Sequence, residues 1–270
     1  MKNTLCSRKV SSFGLGTWKM GGGQTPDYGH DTESIMAIRY AIDSGINVID
    51  TAEMYAGGHS EEIVGKAIST YDRKNIFIIS KVWNDHLTHD ALLDSARKSA
   101  ARLGTNYIDL YLIHWPNPNV PIKETITAME ELVSSGLTKN IGVSNFSLSQ
   151  LKEAMDATER TRICANQIEY NYSNRDAENE LIPFCEENGI DVIAYTPIMR
   201  GKTAKYQKLA VMAEKYGVTP VQMSLRYVME KAFAIPKSSN PAHIDELLTA
   251  AKITLKPEDY KELSILPADL

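Results

Sequence analysis

The chain has 270 residues, of which 23% are charged and 43% apolar, and a formal net charge of −5. That composition is globular, and the acidic balance argues against a nucleic-acid or anionic-membrane partner. No apolar run approaches the length of a membrane span. The opening MKNTLCSRKVSS lacks the apolar stretch of a secretory signal. The three cysteines, Cys6, Cys164 and Cys185, are odd in number and have no CxxC spacing. They read as ordinary thiols in a reducing compartment, with the cytoplasm as the default.

In chain order, Phe13 to Met20 reads as a strand entering a glycine-rich loop, Gly21 to Gly23. Asp31 to Ser44 is helical, with an apolar stripe of Ile35, Ala37, Ile38, Ala41 and Ile42. Ile46 to Asp50 is a short, mostly β-branched strand. A Gly-Gly loop leads to Ser60 as an expected helix N-cap, and the helix runs to Tyr71 with Glu61 and Glu62 in its first turn. Further strands are predicted at Asn75–Val82, Tyr107–His114, Asn140–Ser144, Ile163–Tyr170, Asp191–Tyr195 and Phe233–Pro236. Helices are predicted at 88–104, 122–135, 147–157, 176–188, 205–216, 219–231, 242–251 and 257–263. Strand–helix alternation implies parallel pairing. Eight such units in one chain of 270 residues, with no linker to split them, predict a single (β/α)8 TIM barrel spanning residues 1–270. A doubly wound sheet is the rival, but no G-x-G-x-x-G opens a helix after the first strand.

In such barrels the chemistry sits at the C-terminal strand ends. Trp18, Asp50, Lys81, His114, Ser144, Gln167, Tyr195 and Lys237 fall at or just beyond successive ends. Each has a plainer reading. Asp50 and Lys81 could be a structural ion pair, His114 a core histidine and Tyr55 a surface loop residue. Together they can form a proton donor aimed at a carbonyl oxygen. A lysine ammonium within about 4–6 Å would lower a tyrosine pKa. Asp50 would hold that lysine charged, and His114 could donate a hydrogen bond to substrate. No metal site is evident. Carbonyl reduction needs a hydride that side chains lack and a nicotinamide would supply.

Seven segments then carry a family resemblance. They are Gly-Leu-Gly-Thr-Trp (14–18), Asp-Thr-Ala-Glu-Met-Tyr (50–55), Ser-Lys-Val-Trp (80–83), Leu-Ile-His-Trp-Pro (112–116), Gly-Val-Ser-Asn-Phe (142–146), Asn-Gln-Ile-Glu-Tyr (166–170) and Ile-Pro-Lys-Ser (235–238). In this order they resemble the aldo-keto reductase superfamily, from Phe13 to about Leu263. The short loop after His114 and the short C-terminal end look like the prokaryotic branch that includes diketogluconate reductases.

The resemblance implies NADP(H) as cofactor, with NAD(H) as a second that the site could take. It implies a catalytic tetrad of Asp50, Tyr55, Lys81 and His114, with Tyr55 as general acid in reduction and Lys81 lowering its pKa. Thr17, Trp18 and Asp50 would lie at the cofactor. Ser144, Asn145 and Gln167 match residues that hold the carboxamide, and Tyr195 matches the aromatic stacked on the nicotinamide. Thr196, Pro197, Ile198, Arg200 and Lys202 fall on the pyrophosphate segment. Lys237, Ser238, Ser239 and Asn240 match the 2′-phosphate loop, and Glu246 matches an adenine contact. His243 stands where many members carry arginine, and histidine lacks the bidentate fork. Trp18, Tyr55, Trp83, His114 and Trp115 would line the substrate pocket.

The function this implies is reduction of small aldehydes, ketones or sugar-derived carbonyls to alcohols by a cytoplasmic monomer. Two alternatives stand beside it. One is a Schiff-base barrel enzyme with Lys81 as nucleophile. The other is a cofactor-binding regulatory barrel with little catalysis.

Overall fold

The computed structural model describes residues 3–265. A hairpin of β1 (Thr4–Leu5) and β2 (Arg8–Lys9) precedes eight parallel strands. These are β3 (Leu15–Gly16), β4 (Val48–Asp50), β5 (Phe77–Val82), β6 (Ile108–Ile113), β7 (Thr138–Ser144), β8 (Ile163–Glu169), β9 (Asp191–Tyr195) and β10 (Phe233–Ala234). Each strand pairs with its neighbour in sequence. A parallel bridge from Gly16 to Lys237 joins the two ends of the sheet. The helices α1 (Asp31–Asp43), α2 (His59–Ile68), α3 (His89–Arg102), α4 (Ile122–Ser134), α5 (Leu148–Asp156) and α6 (Leu181–Glu187) alternate with the strands. α7 (Gln207–Lys215) and α8 (Pro220–Val228) follow β9, and α9 (Pro241–Ala250) and α10 (Pro257–Ile265) follow β10. This is the (β/α)8 barrel expected from the alternation.

Side-chain period explains where the chemistry sits. Successive residues of a strand face opposite sides. One apolar cluster contains Val48, Phe77, Ile79, Leu110, Leu112, Ile193, Phe233 and Ile235. These residues face the barrel interior. Counting two onward in each column gives Asp50, Lys81, His114, Tyr195 and Lys237. The site residues are therefore the uppermost inward layer, standing on apolar layers beneath. The alternate positions Ile49, Ile78, Tyr111, Ile113, Val192 and Ala194 belong to the larger cluster shared with the helices. Gly142 is an inward position with no room for a side chain. A Cβ there would lie 2.6 Å from the Ala165 carbonyl oxygen and 2.7 Å from Leu112.

Four details differ from the sequence reading. The first barrel strand is only Leu15–Gly16, because the chain turns at Thr17, whose N–H donates to the Asp50 carbonyl at 2.9 Å. The N-cap of α2 is Gly58 in a left-handed conformation, not Ser60. Ser60 lies inside the helix and donates to Thr17 Oγ1 at 3.1 Å. The segment 176–188 is a 3-10 turn, Asp176–Glu178, followed by α6. Pro183 explains the break, since its ring would clash with the carbonyl of Asn179 in a continuous helix.

The fourth difference is chemical. Cys6 and Cys164 form a disulfide across 158 residues of sequence, replacing two of the three ordinary thiols expected. The bond ties the β1–β2 hairpin to the start of β8, and both cysteines pack in the inner apolar cluster. Cys185 is buried outside this pair.

Candidate active site

Asp50 ends β4, Lys81 lies one residue before the end of β5 and His114 follows β6. Tyr55 heads the turn between β4 and α2. Lys81 is fully buried, and Asp50 and His114 are 2% and 9% exposed. Lys81 Nζ donates to Asp50 Oδ1 at 2.7 Å, to the Thr51 carbonyl at 2.8 Å and to the Tyr55 phenol oxygen at 3.3 Å. An ammonium has three protons, and all three are now placed. The phenol oxygen accepts from Lys81, so its own proton remains free for another acceptor. Asp50 Oδ2 accepts from Gln167 Nε2 at 2.8 Å.

Burial pushes the Lys81 ammonium down and the Asp50 carboxyl up, each toward its neutral form, while their mutual attraction opposes both shifts. Tyr55 departs from the sequence expectation. Burial, together with the charge of Asp50, pushes its phenol well above the usual value. No lowering from Lys81 offsets these two effects, and Tyr55 stays protonated. Burial, helped by the Lys81 charge, pushes His114 down to about 3. Its imidazole is neutral at pH 7, and Nδ1 is buried without a partner.

Aromatic rings wall this group. Trp18 meets Tyr55 edge-on at 4.9 Å between centroids, and Trp83 meets His114 at 5.2 Å. Tyr55 and His114 are 5.8 Å apart. Trp115 is 42% exposed and stands on the rim, apart from these ring contacts. Asn145 donates to the His114 carbonyl at 3.0 Å and accepts from Tyr195 Oη at 2.8 Å. A second Asn145 donor contact, to Ser144 Oγ, is also 3.0 Å. Ser144, Asn145, Gln167 and Tyr195 are therefore linked to the tetrad through short bonds. Burial raises Tyr195 to about 12. Thr17 is buried, with its hydroxyl donated to the Asp50 carbonyl at 2.9 Å.

The phosphate-side residues lie farther out. The stretch 196–202 leaves β9 through left-handed residues Thr196, Met199 and Arg200. Pro197 accepts from Ser224 at 3.1 Å, Ile198 is half-buried, and Arg200 and Lys202 are exposed. Lys237 follows β10 and donates to Ser239 Oγ at 3.1 Å. Ser238 Oγ donates to the Asn240 carbonyl, and Asn240 caps α9 through Ala242 N–H at 3.0 Å. His243 is exposed in the first turn of α9. The Glu246 carboxylate accepts from Thr219 at the start of α8.

Sequence reasoning missed Lys19. Burial and the Lys19 charge together push Lys237 down. Among the described residues neither lysine has a carboxylate partner. Two such ammonium groups beyond the bridged ends of β3 and β10 fit a polyanionic ligand such as a dinucleotide phosphate. Its position next to Trp18 was the available signal. Glu53 was missed too. Its carboxylate accepts from Trp83 N–H at 2.5 Å and from Ser95 Oγ at 2.7 Å, fixing the start of the loop that carries Trp83.

The model of the aldo/keto reductase family matches residues 12–267. The chain belongs to the aldo/keto reductase family. A methylglyoxal reductase DkgB of Yersinia pestis is 34% identical over 264 residues, 95% of this chain and 93% of that protein. Among solved structures, the thermostable aldo-keto reductase Tm1743, in complex with the inhibitor epalrestat, is 42% identical with a TM-score of 0.92 over 96% of each chain. An aldo/keto reductase from Klebsiella pneumoniae with bound NADP and acetate is 34% identical with a TM-score of 0.88, covering 99% of this chain and 96% of that one. Among the described residues of this aldo/keto reductase, no helix is long and apolar enough to cross a membrane. They also contain no cluster of metal-ligating side chains.

Proposed function

We propose that this chain reduces small aldehydes to primary alcohols with NADPH, with Tyr55 as proton donor. The observation that carries the reading is the placement of the Lys81 protons. All three are committed to Asp50, Thr51 and Tyr55, and the phenol proton is left to donate. A bound dihydronicotinamide supplies the hydride. Lys81 stabilises the phenolate that forms after proton donation, and Asp50 keeps Lys81 in place. Neutral His114 orients the carbonyl oxygen by donating one N–H. Trp18 and Trp83 exclude water from the reacting carbon.

Ser144, Asn145 and Gln167 hold the carboxamide, and Tyr195 offers a ring face. Lys19, Arg200, Lys202 and Lys237 meet the phosphates, which suits a local cationic rim on a chain of net charge −5. Lys237, Ser238, Ser239, Asn240 and His243 take the 2′-phosphate and give NADPH its preference, while Glu246 meets the adenine. NADH is the weaker alternative. The 2-oxoaldehyde named for the Yersinia relative makes a compact, doubly activated aldehyde the first substrate to try. The Schiff-base alternative lacks support, because a lysine with three committed protons and a carboxylate at 2.7 Å is a poor nucleophile. We further propose that the enzyme works as a monomer, while the Cys6–Cys164 disulfide withdraws the free-thiol argument for the cytoplasm.

The test is NADPH oxidation followed by absorbance with methylglyoxal, simple aldehydes and ketones, repeated with NADH. Turnover of aldehydes with NADPH is expected. NADPH binding without turnover of any carbonyl would leave the regulatory alternative.

A further inference from the structure

Tyr55 is carried by an unusual piece of backbone. The three residues after it, Ala56, Gly57 and Gly58, have φ of 51°, 60° and 96°. α2 starts immediately beyond them. Left-handed geometry is strained at a residue with a Cβ, as at Ala56. Such a run persists only where its surroundings hold it.

Two contacts hold it. On one side, the Gly23 carbonyl accepts from Ala56 N–H at 2.9 Å. On the other, the Arg102 side chain from α3 lies flat against Gly58. A Cβ on Gly58 would come within 2.7 Å of Arg102 Nε and 2.8 Å of its Cδ. Arg102 is fixed in turn, donating to Glu61 Oε2 at 2.6 Å and to Ser99 Oγ at 3.2 Å. Glu61 is fully buried, and its other oxygen accepts from Ser80 Oγ. Ser80 is the outward-facing residue next to Lys81 on β5. One buried carboxylate thus joins α2, the arginine beneath the tyrosine turn and the strand that carries Lys81. A buried ion pair is a poor source of net stability, because desolvation opposes it. Its placement here has a geometric consequence.

We propose that Glu61 and Arg102 are positioning residues for proton donation. They clamp the Tyr55 turn against the Lys81 strand from outside the barrel wall and so set the contact between phenol and ammonium. The proposal rests on Tyr55 being the proton donor. Neither residue touches the reacting atoms.

The experiment compares Tyr55→Phe, Arg102→Met, Arg102→Lys and the double variant Glu61→Gln/Arg102→Met. Arg102→Met alone strands a buried carboxylate and can fail to fold. The double variant removes both charges together and keeps an amide for Ser80. For each folded protein, kcat and KM for an aldehyde, NADPH affinity by fluorescence and the solvent deuterium isotope effect on kcat are measured. The double variant should lose between about tenfold and 10²-fold in kcat, the range for a small misplacement of a reacting group. KM and NADPH affinity should hold within about twofold, because the removed contacts lie outside the substrate and cofactor surfaces. The solvent isotope effect should rise, and Arg102→Lys should recover part of kcat. Undiminished kcat in the folded double variant, with Tyr55→Phe impaired, overturns the proposal and leaves the function standing. A parallel loss of kcat, KM and NADPH affinity with an unchanged isotope effect also overturns it, as general loosening. Full activity of Tyr55→Phe overturns the function and this proposal together.

Discussion

Lys81 donates to the phenol oxygen of Tyr55 from 3.3 Å, and its other two protons go to Asp50 and the Thr51 carbonyl. The lysine can therefore stabilise a phenolate without being free to react itself. In the proposed reduction, the tyrosine would enter the reaction protonated and leave it as an anion beside a cation.

Tyr55→Phe removes only the phenol oxygen. The ring contacts with Trp18 and His114 can persist, so folding should be preserved. Aldehyde reduction should fall at least roughly 10²-fold, as for loss of a positioned proton donor. NADPH affinity should be almost unchanged. Wild-type kcat in this variant would remove Tyr55 from the mechanism.

Lys81→Met leaves Asp50 buried and unpaired, which should cost about 3–5 kcal/mol of stability. Lys81→Met with Asp50→Leu removes both charges and should recover most of that loss in chemical denaturation. Activity should not return, because nothing then stabilises the phenolate. Recovered activity in the double variant would mean the pair is only structural.

His114 links folding to pH. Its pKa lies near 3 in the folded chain, against about 6.5 for a free imidazole. The folded state therefore binds fewer protons than the unfolded state between those values. This contribution to stability is complete above about pH 6.5 and is lost as pH falls toward 3, by up to about 1.4 kcal/mol per pH unit. Denaturant unfolding at pH 7 and pH 4.5 should show a smaller drop for His114→Gln than for the wild type. Equal drops would mean the imidazole is not desolvated as described.

His243 sits exposed in the first turn of α9, beside the Lys237–Asn240 loop. His243→Arg adds a fixed charge and a bidentate fork there. NADPH affinity should rise about tenfold, the scale of one partly exposed charge-assisted hydrogen bond, while NADH affinity stays level. Equal tightening of both cofactors would indicate stacking on adenine rather than contact with phosphate.

Reduction of Cys6–Cys164 should lower stability without touching turnover, since the bond ties the hairpin to the start of β8, away from the strand ends that carry the site. The loop it closes is long, and the loss expected is about 2–5 kcal/mol. Thermal unfolding with and without reductant, alongside Cys6→Ser, tests this. An unchanged midpoint in both would place the two sulfurs outside any covalent bond.

The tetrad was legible because it follows strand order, with each member near the end of a predicted strand. The barrel was legible for the same reason, from alternation alone. What was missed depends on groups distant in sequence. Cys6 and Cys164 are neighbours only once the hairpin meets β8. Arg102 and Glu61 lie 41 residues apart and meet only when α2 and α3 pack. The acidity of Tyr55 was misjudged because a motif reveals a neighbouring lysine but not the degree of burial around both. Ser60 looked like a cap because its residue type suits one, whereas Gly58 alone can take the left-handed geometry pressed against Arg102.

Beneath the tetrad the barrel is filled by Val48, Phe77, Ile79, Leu110, Leu112, Ile193 and Phe233. That filled floor closes the barrel side of the site, so Lys81 and Asp50 meet no solvent from beneath. In the proposed reduction, substrate and proton would reach the phenol from the outer side, where Trp18, Tyr55 and Trp83 are half-buried.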